Sequence, residues 1–327
     1  MAKDITERTD SFTTRVKTEL SGLKIKRFED ARALLCAFTL GIGALKFVPQ
    51  KRSWGVRYSL KSREAMELCA KLCAQYYSLE YSISEVKHER LNANNIELIV
   101  YGEGMESFMQ SVGMMSVSES GEREFTPAMP EDIASSDSQM RSFVRGLFLS
   151  CGMMSDPAKN YHIEFVVNRA FLADKAAEIL AGCGIAPNRS KRKNNEVLYV
   201  KEGEKLEDLL AFIGASEAMM LVSNERIIKQ ANNTANRYVN CTTANVNKSY
   251  AAAHKQAEDI ELVLKTLGAE ALGEELMALA KARCENLYLS LADLADELGM
   301  GRSAVNYRLK KLEKMAADIK GKRTDTD

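Results

Sequence analysis

Positive charge is concentrated near the C-terminus, although the chain as a whole is neutral. Its 327 residues include 45 Lys and Arg against 45 Asp and Glu. Between residues 299 and 323, however, eight basic residues stand against only Glu313 and Asp318. The eight are Arg302, Arg308, Lys310, Lys311, Lys314, Lys320, Lys322 and Arg323. Because attraction to phosphate is screened beyond about 8–10 Å at cellular salt, this local excess makes the segment a candidate contact for nucleic acid.

The pattern around these basic residues predicts a helix-turn-helix. The apolar face of a first helix consists of Leu291, Leu294, Ala295 and Leu298. Ser290 stands where an N-cap is needed, and Gly299 stands where a helix end favours glycine. The buried face of a second helix, from about residue 302, consists of Val305, Leu309 and Leu312. A tight turn between two such helices sets the second one to enter a DNA major groove.

In such a motif the side chains of the second helix make two kinds of contact with DNA. The side chains expected to reach base edges are Arg302, Ser303, Asn306 and Tyr307. Arg pairs with guanine and Asn with adenine through two hydrogen bonds each. The side chains expected to neutralise phosphates are Arg308, Lys310, Lys311 and Lys314. The alternative is a helical hairpin whose charges are only solvated.

A second basic cluster, "NRSKRKNN", falls at a turn between two predicted strands. Its cations are Arg189, Lys191, Arg192 and Lys193. Two interpretations have equal support here: a possible second DNA contact, and a hairpin tip whose charges are only solvated.

The elements that precede the basic helix occur twice. Helices and strands follow the order α-β-β-α-β-β-α from residue 28 and again from residue 139, with Gly43 and Gly152 at matching places. The sequence therefore predicts an α+β fold: a duplicated α-β-β-α-β-β-α domain plus an all-α helix-turn-helix domain. The expected boundaries are 1–125 for the first half, 135–221 for the second, 222–256 for an Asn-rich linker and 257–327 for the helix-turn-helix domain.

The first helices of the two halves end in small residues, which let helices approach closely. Aligned on Gly43 and Gly152, "LCAFTLGIG" (35–43) and "VRGLFLSCG" (144–152) resemble the motif of LAGLIDADG homing endonucleases. In that family the motif helices form the seam between halves, each half presents strands to DNA, and the eighth position is a metal-binding acid. Here the eighth positions are Ile42 and Cys151. Two-metal phosphodiester cleavage requires carboxylates, so we expect a packing seam without nuclease chemistry, catalytic residues or a metal.

Other stretches resemble the WhiA family of bacterial regulators over almost the whole chain. They are "SFTTRVKTEL", "RGLFLSCGMMSDPAKNYHIEF" (145–165), "NRYVNCTTANVNK" (236–248) and "GRSAVNYRLKKL". The resemblance implies a sequence-specific, non-catalytic transcription regulator of the cell division or sporulation type, bound to double-stranded DNA. For some members it also implies a WhiB-like iron–sulfur regulator as partner, by resemblance only. It marks Asn240, Thr243, Asn245, Asn247 and Lys248 as a signature, for which a structural linker and a DNA contact both stay open.

Two other functions compete with this one. The first is a metal-dependent endonuclease that uses other acids, such as Asp156 or Glu164. The second is a scaffold for protein partners. The seven cysteines include no Cys-x-x-Cys pair, and no second pair accompanies Cys69 and Cys73, so we expect buried thiols, no zinc and no cofactor. No apolar run reaches membrane-spanning length, and the charged N-terminus does not resemble a secretory signal, so a cytoplasmic, nucleoid-associated protein is expected.

Overall fold

The computed structural model describes residues 11–88, 93–118 and 121–324. The chain divides into two compact units, Met1–Lys229 and Gln230–Asp327. This division falls inside the segment predicted to be a linker.

The N-terminal unit contains the predicted duplication. A first helix, α1 (Phe12–Ser21), precedes it. The first repeat consists of α2 (Phe28–Ile42), β1 (Ala44–Val48), β2 (Ser53–Leu60), α3 (Arg63–Tyr77), β3 (Glu80–His88), β4 (Ala93–Tyr101) and α4 (Met105–Ser111). A small hairpin of β5 (Ser116–Val117) and β6 (Arg123–Glu124) follows within the predicted connection between the halves.

The second repeat has the same order of elements. It consists of α5 (Asp137–Cys151), β7 (Gly152–Met154), β8 (Ile163–Val167), α6 (Ala170–Gly182), β9 (Asn188–Arg192), β10 (Asn195–Val200) and α7 (Gly203–Ile213). Both sheets are antiparallel and share one topology, β1-β2-β4-β3 in the first and β7-β8-β10-β9 in the second. The predicted duplication is therefore confirmed at the level of strand order.

Side-chain alternation explains which face of each sheet packs against helices. In the first sheet Val56 and Tyr58 of β2 are buried, whereas the intervening Arg57 is exposed. In the second, Ile163 and Phe165 of β8 are buried and Glu164 lies between them on the opposite face. Each sheet thus buries the face on which these apolar residues lie, as a period of two requires. The opposite face of the second sheet is mixed, because Val166 and the buried Val197 lie there beside Glu164.

The seam between the repeats is the contact of α2 with α5, but it uses other glycines than predicted. A Cβ on Gly146 would lie 2.2 Å from the carbonyl oxygen of Leu34, and one on Gly41 would lie 2.7 Å from Cys151 Sγ. These two residues let the helices approach. A Cβ on Gly43 or Gly152 would instead meet the preceding turn of its own helix, at Thr39 or Phe148. Gly43 and Gly152 therefore mark where α2 and α5 end and strands begin.

The segment 222–256, predicted to be an Asn-rich linker, is helical throughout. It belongs to α8 (Ser216–Leu267), a single helix of 52 residues. Both ends of this helix are packed, with Val222 buried at one end and Ile260 and Val263 at the other. Because adding a residue to an existing helix costs little, the packed ends explain why residues of low helix propensity continue it.

The C-terminal unit also contains three shorter helices around its own core. They are α9 (Gly273–Glu285), α10 (Leu291–Glu297) and α11 (Arg302–Thr324). Leu294 of α10 and Val305, Leu309 and Leu312 of α11 are buried together with Leu279 of α9. The apolar faces predicted for the two helices of the motif are thus the ones that pack.

The cysteines are free thiols, and the burial predicted for them fails at three places, because Cys183 and Cys284 are only half-buried and Cys241 is exposed. Cys36, Cys69, Cys73 and Cys151 are buried, whereas Cys241 on α8 is exposed. No helix in the described part of the chain is long and apolar enough to cross a membrane.

Candidate nucleic-acid interface

Helix α10, the first helix of the motif, is capped at both of its ends. Ser290 Oγ accepts a hydrogen bond from Asp293 N at 3.2 Å, and Asp293 Oδ2 accepts one from Ser290 N at 2.8 Å, which completes a capping box. At the other end of α10, Gly299 has a φ of +60°. Its N–H donates to Asp296 O at 3.3 Å, and Met300 N–H donates to Ala295 O at 2.9 Å. This pattern is a Schellman motif, which requires a left-handed residue at the position of Gly299.

The start of α11 follows directly from this turn. Ala304 N–H and Val305 N–H both donate to Gly301 O, at 2.9 and 3.1 Å. With Val305 fixed in the core, one face of α11 is directed away from the rest of the unit. The exposed side chains of this face are Arg302, Ser303, Asn306, Tyr307, Lys310, Lys311 and Lys314. We call these seven residues the α11 exposed face.

The cations of the α11 exposed face form no ion pair with the part of the chain that the structure describes. Among the described residues, no carboxylate lies within 4.0 Å of Arg302, Lys310, Lys311 or Lys314, and none of these side chains donates a hydrogen bond. Tyr307 is 72% exposed, which is unusual for a large aromatic side chain. The face therefore offers positive charge, a planar side chain and an amide to a partner from outside.

Arg308, predicted to contact phosphate, is positioned differently. It points toward α9, where its guanidinium forms an ion pair with Glu275 and donates to Met300 Sδ at 2.8 Å. Only 22% of its side chain is exposed. The reason lies in helix periodicity, because Arg308 follows Val305 by three residues and so lies beside the buried face. Lys320 is likewise paired, with Asp259 at 2.6 Å, and the side chains of Lys322 and Arg323 lie outside the described residues.

In the second predicted DNA contact, three of the four cations lie on strand β9 and only Lys193 lies in the turn to β10. Arg189 donates to Asp174 at 2.5 Å and to Glu196 at 2.8 Å. Lys191 lies 3.4 Å from Glu196, and Arg192 lies 3.1 Å from Glu164. The hydrogen bond from Arg189, together with Lys191, lowers the pKa of Glu196. Lys193 has a φ of +57° and no ion pair within the described residues.

The ends of the two seam helices do not fit a metal centre. Ile42 offers no ligand, and burial raises the pKa of the Cys151 thiol, which keeps it neutral. A thiol binds metal as the thiolate, so this environment opposes ligation. Lys17 of α1 is also buried beside Cys151 and adds positive charge there. Across residues 11–88, 93–118 and 121–324, no group of three or more His, Cys, Asp or Glu is arranged to hold a metal ion.

The acids considered as substitutes are otherwise engaged. Asp156 Oδ1 accepts a hydrogen bond from Ala158 N at 3.0 Å and so closes a surface turn. The Glu164 carboxylate accepts a hydrogen bond from the guanidinium of Arg192 and lies 3.5 Å from His162 Nε2. Both acids therefore have a structural explanation.

Known proteins match both parts of the chain. The WhiA LAGLIDADG-like domain matches residues 140–232, and the WhiA C-terminal HTH domain matches residues 235–316. A probable cell division protein WhiA from Clostridium tetani is 31% identical over 313 residues, which cover 94% of this chain and 98% of that protein. The chain belongs to the WhiA family.

Two further WhiA proteins agree with this assignment. A probable cell division protein WhiA from Clostridium acetobutylicum is 33% identical over 314 residues and covers 95% of this chain and 98% of its own length. The crystal structure of full-length WhiA from Thermotoga maritima superimposes with a TM-score of 0.59 at 24% identity, over 94% of this chain and 99% of that one. At that identity the structural match supports the fold, which is the one described above.

One feature of the C-terminal unit was not predicted from sequence. From Gln230 to Ala252 every residue of α8 is exposed, and between Glu225 and Glu258 the sequence has no acidic residue. Helical spacing places Arg237 and Lys248 on one face, roughly opposite Val239 and Val246. The missing acids are visible in the sequence, but the exposure is not.

Proposed function

We propose that this WhiA-family chain is a sequence-specific, double-stranded-DNA-binding transcription regulator of cell division that performs no phosphodiester cleavage. The observation that carries the proposal is the α11 exposed face. It combines base-reading side chains at the N-terminal end of a second helix with unpaired lysines further along. This is the arrangement that helix-turn-helix proteins use in the major groove.

Within this face the roles follow from position. Arg302, Ser303, Asn306 and Tyr307 lie on the first two turns of α11 and would contact base edges. Lys310, Lys311 and Lys314 lie on the following turns and would contact phosphates, which gives affinity on any sequence. Arg308 is omitted from this set because Glu275 already binds it.

The proposal that the chain is not a nuclease rests on the seam. The eighth motif positions are Ile42 and a neutral Cys151, and the nearby buried side chain of Lys17 is cationic or neutral, never anionic. A site that must gather two divalent cations needs carboxylates instead. The name shared by the relatives, cell division protein, supports the cellular role that we propose.

The experiment is a binding and cleavage assay on the full chain. We would measure fluorescence anisotropy with a pool of duplexes between 50 and 200 mM salt, and in parallel incubate supercoiled plasmid with the protein and Mg²⁺. We expect salt-dependent binding and no nicking. Nicking that is lost in Asp156→Ala or Glu164→Gln would establish an endonuclease, and salt-independent or absent binding would favour a protein scaffold.

A further inference from the structure

A cavity of about 470 Å³ lies where the ends of the two seam helices meet α1. Residues from both repeats line it, including Ile42 and Leu60 from the first and Cys151 and Val166 from the second. Small-molecule sites in proteins have volumes of about 300–1,000 Å³ and are mostly apolar with a few polar groups. The cavity has this size and this kind of wall, and nothing in the proposed DNA-binding function uses it.

The charged side chains that line the cavity are positive. Among the described residues that line it, Lys17 and Lys61 are basic and none is acidic. Lys61 is exposed, whereas Lys17 is only 8% exposed. The hydroxyl groups of Ser62 and Ser150 are already committed, the first to Ala65 N and Glu64, the second to Gly146 O and Leu147 O. Lys17 is therefore a buried polar residue that lines the cavity and whose amine can still form a hydrogen bond to a ligand.

Lys17 has no counter-charge within the described part of the chain. No carboxylate lies within 4.0 Å of its Nζ, and its amine makes no hydrogen bond there. Burying an ammonium without a partner is costly, and proteins respond by favouring the neutral form. Desolvation accordingly lowers the pKa of Lys17 from 10.5 to about 8, and the nearby Cys151 offsets this only in part.

The position of Lys17 is fixed by the way α1 is attached. Thr13 Oγ1 donates to Met154 O at 2.9 Å and accepts from Met154 N at 2.8 Å, so α1 is held against β7. Lys17 lies one turn further along the same helix and is directed toward the seam. A site on such an element is preorganised, which reduces the entropy cost of binding a ligand.

We propose that this cavity binds a small monoanion with an apolar body, such as an aliphatic carboxylate, and that Lys17 is its counter-ion. One buried amine balances one negative charge, whereas a phosphate dianion would leave a second charge uncompensated beside apolar walls. Ile42, Leu60 and Val166 provide those walls. The phosphates of a duplex are excluded because Lys17 is too deeply buried for a nucleic-acid backbone to reach.

Isothermal titration calorimetry with the full chain tests this site. The probes are hexanoate, 1-hexanol and inorganic phosphate. We expect hexanoate to bind about tenfold or more tightly than 1-hexanol, because a charge-assisted hydrogen bond is available only to the carboxylate, and phosphate to bind more weakly than hexanoate. In Lys17→Met this preference should vanish while 1-hexanol still binds. Lys24→Met, which changes an exposed lysine just beyond α1, is the matched control and should behave as the unaltered chain does.

Several results would overturn the proposal. They are equal binding of hexanoate and 1-hexanol, tighter binding of phosphate, a preference that survives Lys17→Met, and no binding of any probe. If Lys17→Met does not fold, the unaltered protein still decides the question. Saturating hexanoate should raise the pKa of Lys17 from about 8 toward 10.5 in an NMR titration, and an unchanged pKa would contradict the proposal.

Discussion

Two clusters of basic residues look alike in the sequence and differ in the structure. On strand β9, Arg189, Lys191 and Arg192 are all ion-paired with carboxylates of neighbouring elements. On the α11 exposed face, Lys310 and Lys311 have no carboxylate within 4.0 Å among the described residues. The cations of β9 are thus paired by Asp174 of α6 and by Glu164 and Glu196 of the sheet. Lys310 and Lys311 remain unpaired within the described residues.

The difference shows that a count of cations does not identify a nucleic-acid surface. Phosphate binding gains free energy by releasing counter-ions from the nucleic acid. A cation that already pairs with Glu196 or Glu164 must first give up that carboxylate, which then repels the incoming phosphate. An unpaired lysine such as Lys314 has no such cost. The four predictions below alter one cluster or the other, from the largest expected effect to the smallest.

Replacing Lys310, Lys311 and Lys314 together by Gln should cause the largest loss. We expect weaker binding to every duplex and a salt dependence, measured as the slope of log K against log salt, that falls by up to about 2.7, or about 0.9 for each lost phosphate contact. Anisotropy titrations at several salt concentrations would measure this. The matched variant replaces Arg189, Lys191 and Arg192 by Gln. An equal loss of slope in that variant would refute the contrast between the clusters.

Arg302→Ala should weaken specific binding by about 1–3 kcal/mol and relax the preference at one base pair. Lys311→Ala should instead weaken binding to all sequences alike. Competition binding with duplexes that differ at single positions would separate the two effects. Uniform losses for both variants would contradict the assignment of the first turns of α11 to base reading.

Removing the partners of the hairpin cations should increase non-specific affinity. In the double variant Glu164→Gln, Glu196→Gln, the side chains of Lys191 and Arg192 lose their carboxylates. If these cations then meet phosphate, the salt slope rises by up to about 1.8. The control, Glu103→Gln with Glu131→Gln, changes net charge equally at two exposed acids without ion pairs in the described residues. The same rise in both variants would mean that net charge, not pairing, sets the affinity.

The smallest effect is expected for Arg308→Gln. Its ion pair with Glu275 lies near the surface, so its loss should reduce the free energy of unfolding by no more than about 1 kcal/mol. The salt slope should stay unchanged, unlike that of Lys311→Gln. A slope reduced by about 0.9 would return Arg308 to the set of phosphate contacts.

Much of the fold could be predicted because its signals are local. The periodicity of apolar residues placed the repeated helices and strands, and the identities of Ser290 and Gly299 placed the turn of the motif. The predicted order included a strand at the position of β7, but its residues could not be located because three residues are too few to show alternation. The helix across 222–256 was missed because its Asn-rich composition disfavours helix, and the packed ends that stabilise it lie about 40 residues apart, at Val222 and Ile260.

The details of the candidate site depended on contacts that are distant in sequence. Glu275, the partner of Arg308, lies 33 residues before it, and Glu164, the partner of Arg192, lies 28 residues before it. The glycines that allow the seam, Gly41 and Gly146, could not be distinguished from Gly43 and Gly152 by alignment, because the distinction lies in which backbone each one faces. The sequence shows where the cations are, and only the fold shows which of them are not ion-paired with a carboxylate.

The central claim is that the α11 exposed face reads duplex sequence. Selection from a random duplex library with the full chain, and with a chain that ends at Ser290, tests it most directly. We predict that the full chain enriches one sequence motif and that the shortened chain, with its N-terminal unit verified as folded, enriches none. Enrichment of the same motif by the shortened chain would contradict the claim.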